Sequence, residues 1–147
     1  MRVQVPHLVL PPPLYQRLVE AAQQAWPNEL VALLGGHRHA GAVAVTHVEP
    51  LPATATVATF AAEAVAFAGA EAALRARGAA FLGFVHSHPH AAPHPSRRDL
   101  AVAWPGCVQL LFGGASAENL QSKAFTIAHG VATPLPLRLA VPGEAVR

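Results

Sequence analysis

GFVHSHPHAAPHPSRRD, residues Gly83 to Asp99, is the stretch around which the chain is organised. Phe81, Leu82, Phe84 and Val85 are apolar strand formers, so a buried strand should deliver His86 and His88 to its end. Successive side chains on a strand alternate faces, so this i, i+2 pair presents two imidazoles on one side. Pro89 cannot donate to a sheet ladder, and Pro93 and Pro95 keep the next residues extended, so the strand must give way to a loop. Ser96 then opens a helix. In SRRD it takes the N-cap position and Asp99 the N3 position, close to the unpaired backbone N–H groups. Asp99 is the only aspartate in the chain.

Two histidines and one carboxylate are the set that zinc takes in a catalytic site, where three protein ligands leave the fourth position to water. A structural site is more often closed by a fourth ligand, usually sulfur, and Cys107 is the only cysteine here. Alone, an HxH pair is commonly an ordinary surface or core histidine pair, and S-x-x-D is commonly just a cap. Joined by one proline-bounded loop, they make His86, His88 and Asp99 a candidate ligand set.

His86-Ser87-His88-Pro89, with Ser96 seven residues after Pro89 and Asp99 three further on, resembles the H-x-H-P…S-x-x-D signature of the JAMM, or MPN-plus, family of zinc-dependent isopeptidases. Glu29, in WPNELVALLGG, is similar in setting to that family's upstream P-x-E-x-x-x-L-x-G glutamate. The resemblance covers most of the chain from about Leu14 onward. It implies one zinc per chain on His86, His88 and Asp99. Glu29 would be the catalytic base, and Ser96 would donate to the oxyanion besides capping its helix. The residues by themselves make Glu29 the candidate base too, since it is the lone charge in an apolar segment, where a carboxylate needs a partner or a task. The plain alternative is an exposed glutamate at a strand start. The family pattern requires neither His90 nor His94 of the same loop.

The substrate class implied is a ubiquitin-like or sulfur-carrier protein whose extended C-terminal tail is cut from a lysine or from a single added amino acid. Two other readings compete. One is a catalytically inactive scaffold of the same fold; the other is a related peptidase of different substrate class, acting on cell-wall peptides or like the RadC-type proteins.

At 147 residues the chain has the size of one catalytic domain, 1–147, able to bury about 70% of its unfolded surface. A hydrophobic fraction of 52% with 12% charged residues excludes a disordered chain. The lone Cys107 excludes an intramolecular disulfide and reads as a small buried hydrophobe. The N-terminus lacks the apolar length of a signal peptide and no run of 18 apolar residues occurs, so a cytoplasmic enzyme without membrane partners is expected. Net charge is +2, and the basic residues are scattered without interleaved aromatics, so a nucleic-acid partner is not expected. The oligomeric state stays open, a homodimer included.

Along the chain, Val3 to Leu10 reads as a strand, with Pro6 marking an edge or bulge. Leu14, Leu18, Ala21 and Ala25 mark the buried face of a helix over 12–25, which Pro27 ends. Asn28 to Leu34 reads as a central strand, and Gly35 to Gly41 as a hairpin turn holding a second pair, His37 and His39, as solvated turn residues. Ala42 to Val48 returns as a strand, and Ala53 to Thr59 reads as a loop. A second long helix runs through Phe60, Ala64, Phe67, Ala70 and Leu74 to Gly78 at its C′ position. The short helix from Ser96 reaches about Trp104; strands follow at Cys107–Phe112 and Leu120–His129, and Val131–Val141 is the last edge strand. Strands and helices alternate without a regular βαβ rhythm. The expected class is α/β in an α+β-like arrangement: a twisted mixed β-sheet flanked by two long helices and one short one. The resemblance implies the same layout, like that of the zinc-dependent cytidine deaminases.

Overall fold

Leu14, Leu18 and Ala22 recur every fourth residue and give the first helix one buried stripe. The computed structural model describes residues 5–51 and 64–144. In chain order it contains β1 (His7–Leu10), α1 (Pro12–Ala25), β2 (Val31–His39), β3 (Ala42–Pro50), α2 (Ala64–Ala76), β4 (Ala80–Pro89), α3 (Arg97–Val102), β5 (Val108–Gly114), β6 (Gln121–Ala128), β7 (Val131–Leu135) and β8 (Leu137–Leu139). The expected loop over Ala53 to Thr59, and Phe60 of the second helix, lie outside the described residues.

The strands form one eight-stranded sheet in the order β7-β6-β5-β4-β2-β3-β1-β8. It is mixed: β4 with β5, β1 with β3 and β1 with β8 run parallel, and the other neighbours run antiparallel. The strands β7 and β8 stand at opposite ends of that order, yet only Pro136 separates them in sequence. The sheet must therefore curl until its ends meet. The Pro136 carbonyl accepts from Leu8 N–H at 2.8 Å where they do. Val131 to Val141 is thus not one edge strand, as its sequence suggests; Pro136 splits it between β6 and β1, a closure set by partners far away in the chain.

Helix α1 fills the face around which the sheet curls. Its Leu14, Leu18 and Ala22 join Leu8, Leu34, Val85, Leu110, Phe112 and Leu135 in one core. Each large aliphatic side chain buried there contributes about 1.5–3 kcal/mol. On the opposite face, Ala70 and Leu74 of α2 pack on Leu33 and Phe84, with Phe67, Phe81 and Trp104 around them. Helix α2 ends as expected: Gly78 N–H and Ala79 N–H bond to the Arg75 and Leu74 carbonyls, a Schellman pair. Cys107 is buried just before β5, and burial pushes its thiol up.

Three local expectations are corrected. The strand β1 starts at His7, after Pro6, and lies inside the sheet between β3 and β8. Gly35-Gly36 does not end β2; it is a bulge, with register shifts at Leu34/Gly35 against β4 and at Gly35/Gly36 against β3. A Cβ on Gly36 would collide with the Ala44 carbonyl oxygen. The strand therefore continues, so His37 and His39 lie on it, and the turn is Ala40-Gly41, both at positive φ as a two-residue hairpin requires. Helix α3 stops at Val102, short of Trp104, whose ring packs against Phe84.

Candidate metal centre

Both flanks of β4 are fixed by its neighbours. His86 lies opposite Val31 of β2 on one side and Leu111 of β5 on the other. Beyond Val31 the pairing continues: Leu30 N–H donates to Ser87 Oγ at 2.7 Å, and Ser87 N–H donates to the Leu30 carbonyl at 3.1 Å. His86 and His88 sit on one face, as the i, i+2 spacing demands, with ring centroids 4.8 Å apart.

His86 is 1% exposed, and neither of its ring nitrogens makes a hydrogen bond. Its Nε2 lies 3.3 Å from Asp99 Oδ2, but the ring is not turned to donate to it. Two orphaned nitrogens in the interior are costly, because buried polar groups are almost always partnered. His88 Nε2 lies 3.1 Å from the same Asp99 oxygen.

Asp99 is brought there by its helix start. Ser96 N–H donates to Asp99 Oδ2 at 2.8 Å and Asp99 N–H donates to Ser96 Oγ at 3.1 Å, a complete capping box. The cap thus presents a 6% exposed carboxylate to two imidazoles. Burial works to raise the Asp99 carboxyl, but the approach of His86 and His88 and the Ser96 N–H outweigh it and hold it well below the usual carboxylate range. His88 is raised from its ordinary value, chiefly by its bond to Asp99, with smaller contributions from the charges of Asp99 and Glu29 and a hydrogen bond to the His94 backbone. The loop between strand and helix packs tightly on β5. A Cβ on Gly113 would stand 2.5 Å from the Ala91 carbonyl oxygen and 2.7 Å from Pro93 N.

The ligand atoms of His86, His88 and Asp99 all lie within 4.8 Å of one another, the one such trio among the described residues. Two imidazole nitrogens and a carboxylate oxygen, with His86 otherwise unpartnered, suit a divalent cation of the zinc type.

Glu29 is not on a strand, contrary to the reading of Asn28 to Leu34, because β2 begins only at Val31. Glu29 is half-buried and directly precedes Leu30, whose N–H and carbonyl both bond to Ser87, the residue before His88. Its charge reaches His88. Ser96 is exposed, and its hydroxyl accepts the cap bond while its own proton stays available. His90 and His94 remain outside the trio; their rings pack on Trp26 and Phe125. Ser87, which ties the Glu29 segment to the histidine strand, escapes the sequence reading. Its place between two histidines was the available signal.

Residues 11–128 match the model for prokaryotic homologs of the JAB domain. The chain belongs to this JAB family. The match spans Glu29, His86, His88, Ser96 and Asp99. A Desulfitobacterium hafniense protein solved in solution has a similar fold, at TM-score 0.72 and 26% identity, over 90% of this chain and 92% of that one. A JAB1/MPN domain protein from Archaeoglobus fulgidus aligns over 92% and 99% of the two chains at TM-score 0.58 and 22% identity. A structure of a metalloprotease-like zinc site in the proteasome and signalosome aligns over 92% and 99% at TM-score 0.54 and 19% identity. The last two show the fold alone. The histone deubiquitinase MYSM1 of Branchiostoma floridae is 39% identical over 74 residues, 49% of this JAB chain and 9% of that much longer protein. Among the described residues, no helix is long and apolar enough to cross a membrane.

Proposed function

We propose that the chain is a zinc-dependent metallo-isopeptidase, with residues 1–147 acting as one cytoplasmic catalytic domain. The observation that carries this is the fully buried His86, neither of whose ring nitrogens makes a hydrogen bond, beside His88 and a carboxylate fixed by its helix cap. His86, His88 and Asp99 would hold the zinc. Bound there, zinc supplies a Lewis acid and brings the pKa of water to about 7.

The rest of the chemistry falls to the chain's own side chains. Glu29, one residue from the Leu30–Ser87 link, takes a proton from the attacking water and returns it to the leaving nitrogen as the C–N bond breaks. Ser96, its acceptor side engaged by Asp99 N–H, donates its hydroxyl proton toward the oxyanion. Ser87 keeps Glu29 in register by gripping Leu30 on both its N–H and its carbonyl.

The substrate in this reading is a ubiquitin-like or sulfur-carrier protein, entering by an extended C-terminal tail that could add to the sheet as a strand. Kinship with the JAB family and partial similarity to a deubiquitinase support that class. The test is incubation with a small ubiquitin-like carrier from the same genome, fused through its C-terminus to a second protein. Cleavage at the tail is expected, and its loss in Glu29→Ala. Cleavage that survives Glu29→Ala removes the base, and tight binding without cleavage favours the scaffold reading.

A further inference from the structure

The segments that carry Glu29 and His88 leave the sheet in opposite directions along the chain. β2 starts two residues after Glu29, and β4 ends one residue after His88. Among the described residues, their last hydrogen-bonded link is the Leu30–Ser87 pair. Beyond it stands one more contact: the rings of Trp26 and His90 meet edge to face, with centroids 4.8 Å apart at 64°. Glu29 is therefore bracketed, by the Leu30–Ser87 bonds on one side and the Trp26–His90 contact on the other. His88 is bracketed by the same two links.

The backbone at His90 sets it apart. Three non-glycine residues among those described have positive φ: Ala40 at 48°, His90 at 64° and His129 at 52°. Ala40 and His129 each precede a glycine in a hairpin turn, where that conformation is required. His90 stands third in the turn His88-Pro89-His90-Ala91, closed by Ala91 N–H donating to the His88 carbonyl at 3.3 Å, and a type II turn, where proline second is common, takes positive φ at that position. The turn it makes places its ring against Trp26.

We propose that Trp26 and His90 are positioning residues, a latch that holds the Glu29 segment against the metal loop; this rests on the peptidase reading for its catalytic consequence. Neither residue touches the reacting atoms. Their effect is on where the Glu29 carboxylate stands, and a displacement of about 1 Å in such a group costs on the order of a hundredfold in rate.

The test uses the full chain, zinc-loaded and metal-free, with Trp26→Ala, Trp26→Phe and His90→Gly. Glycine suits the left-handed backbone, so His90→Gly removes the ring and keeps the turn. In Trp26→Ala and His90→Gly, kcat should fall about ten- to a hundredfold with KM and zinc stoichiometry unchanged, and Trp26→Phe should recover most of it. Independently of activity, amide exchange at Asn28 and Leu30, protected by bonds to Ala25 O and Ser87 Oγ, should quicken about tenfold in both ring-removing variants and stay slow in β5. Unchanged exchange at Asn28 and Leu30 in both variants overturns the latch, whatever the wild type cleaves. Quickened exchange in a protein that cleaves nothing keeps the latch and sinks the peptidase reading.

Discussion

Two HxH pairs lie toward opposite ends of neighbouring strands, and their differences say what makes one of them a candidate ligand set. His37 and His39 are near the end of β2, where its pairing with β4 has already stopped at Gly36; His86 and His88 are near the end of β4, level with the start of β2. Both pairs have the spacing that puts two imidazoles on one face. His86 is buried and unpartnered, whereas His37 is half-buried and His39 exposed. Asp99 reaches the first pair through a capping box, and among the described residues no trio of ligand atoms forms around the second. Spacing supplies a common face. Desolvation and a carboxylate from another element supply the rest.

The comparison breaks most sharply at Asp99. Asp99→Ala should take bound zinc from about one per chain to none and cleavage below detection. The same change removes the carboxylate half of the α3 capping box, the bond from Ser96 N–H, and leaves the bond from the residue-99 N–H to Ser96 Oγ, so the metal-free protein should lose roughly 0.5–1.5 kcal/mol in urea unfolding. Glu29→Gln should keep the zinc and lower kcat about 10²–10⁴-fold, the range for a positioned acid–base group. Full loss of zinc in that variant would instead make Glu29 a ligand.

Thermal unfolding sharpens the role of burial. Zinc at a hundred times its Kd should stabilise the wild type by about 2.7 kcal/mol, and His86→Phe should show no such gain. Metal-free His86→Phe should unfold within about 1.5 kcal/mol of the wild type, because one buried ring replaces another and the loss of the Asp99 contact is offset by removing two nitrogens that make no hydrogen bond. A much larger loss would mean that His86 holds the fold rather than a cation. The smallest effect belongs to the other pair: His37→Ala with His39→Ala should change stability by no more than about 0.5 kcal/mol per site and leave zinc binding untouched.

Much of the site was legible because its determinants are local. The HxH face follows from strand alternation, the Ser96–Asp99 box from four consecutive residues, and α1 from its apolar period. What could not be read depended on partners distant in the chain. Gly35-Gly36 looks like a turn, since glycine pairs usually are one; only the approach of the Ala44 carbonyl shows that it is a bulge. Pro136 interrupts an apparent edge strand, and nothing nearby reveals that its halves close opposite ends of the sheet. Glu29 was found by its setting but placed on a strand, because the apolar run does not show where ladder pairing ends and the Ser87 hydroxyl takes over.

The most direct test is a zinc titration of the metal-free chain beside two variants, His88→Ala and the double change His37→Ala with His39→Ala. About one equivalent should bind to the wild type and to the double variant, and none at comparable affinity to His88→Ala. Binding that survives in His88→Ala and disappears in the double variant would contradict the assignment of the centre to His86, His88 and Asp99.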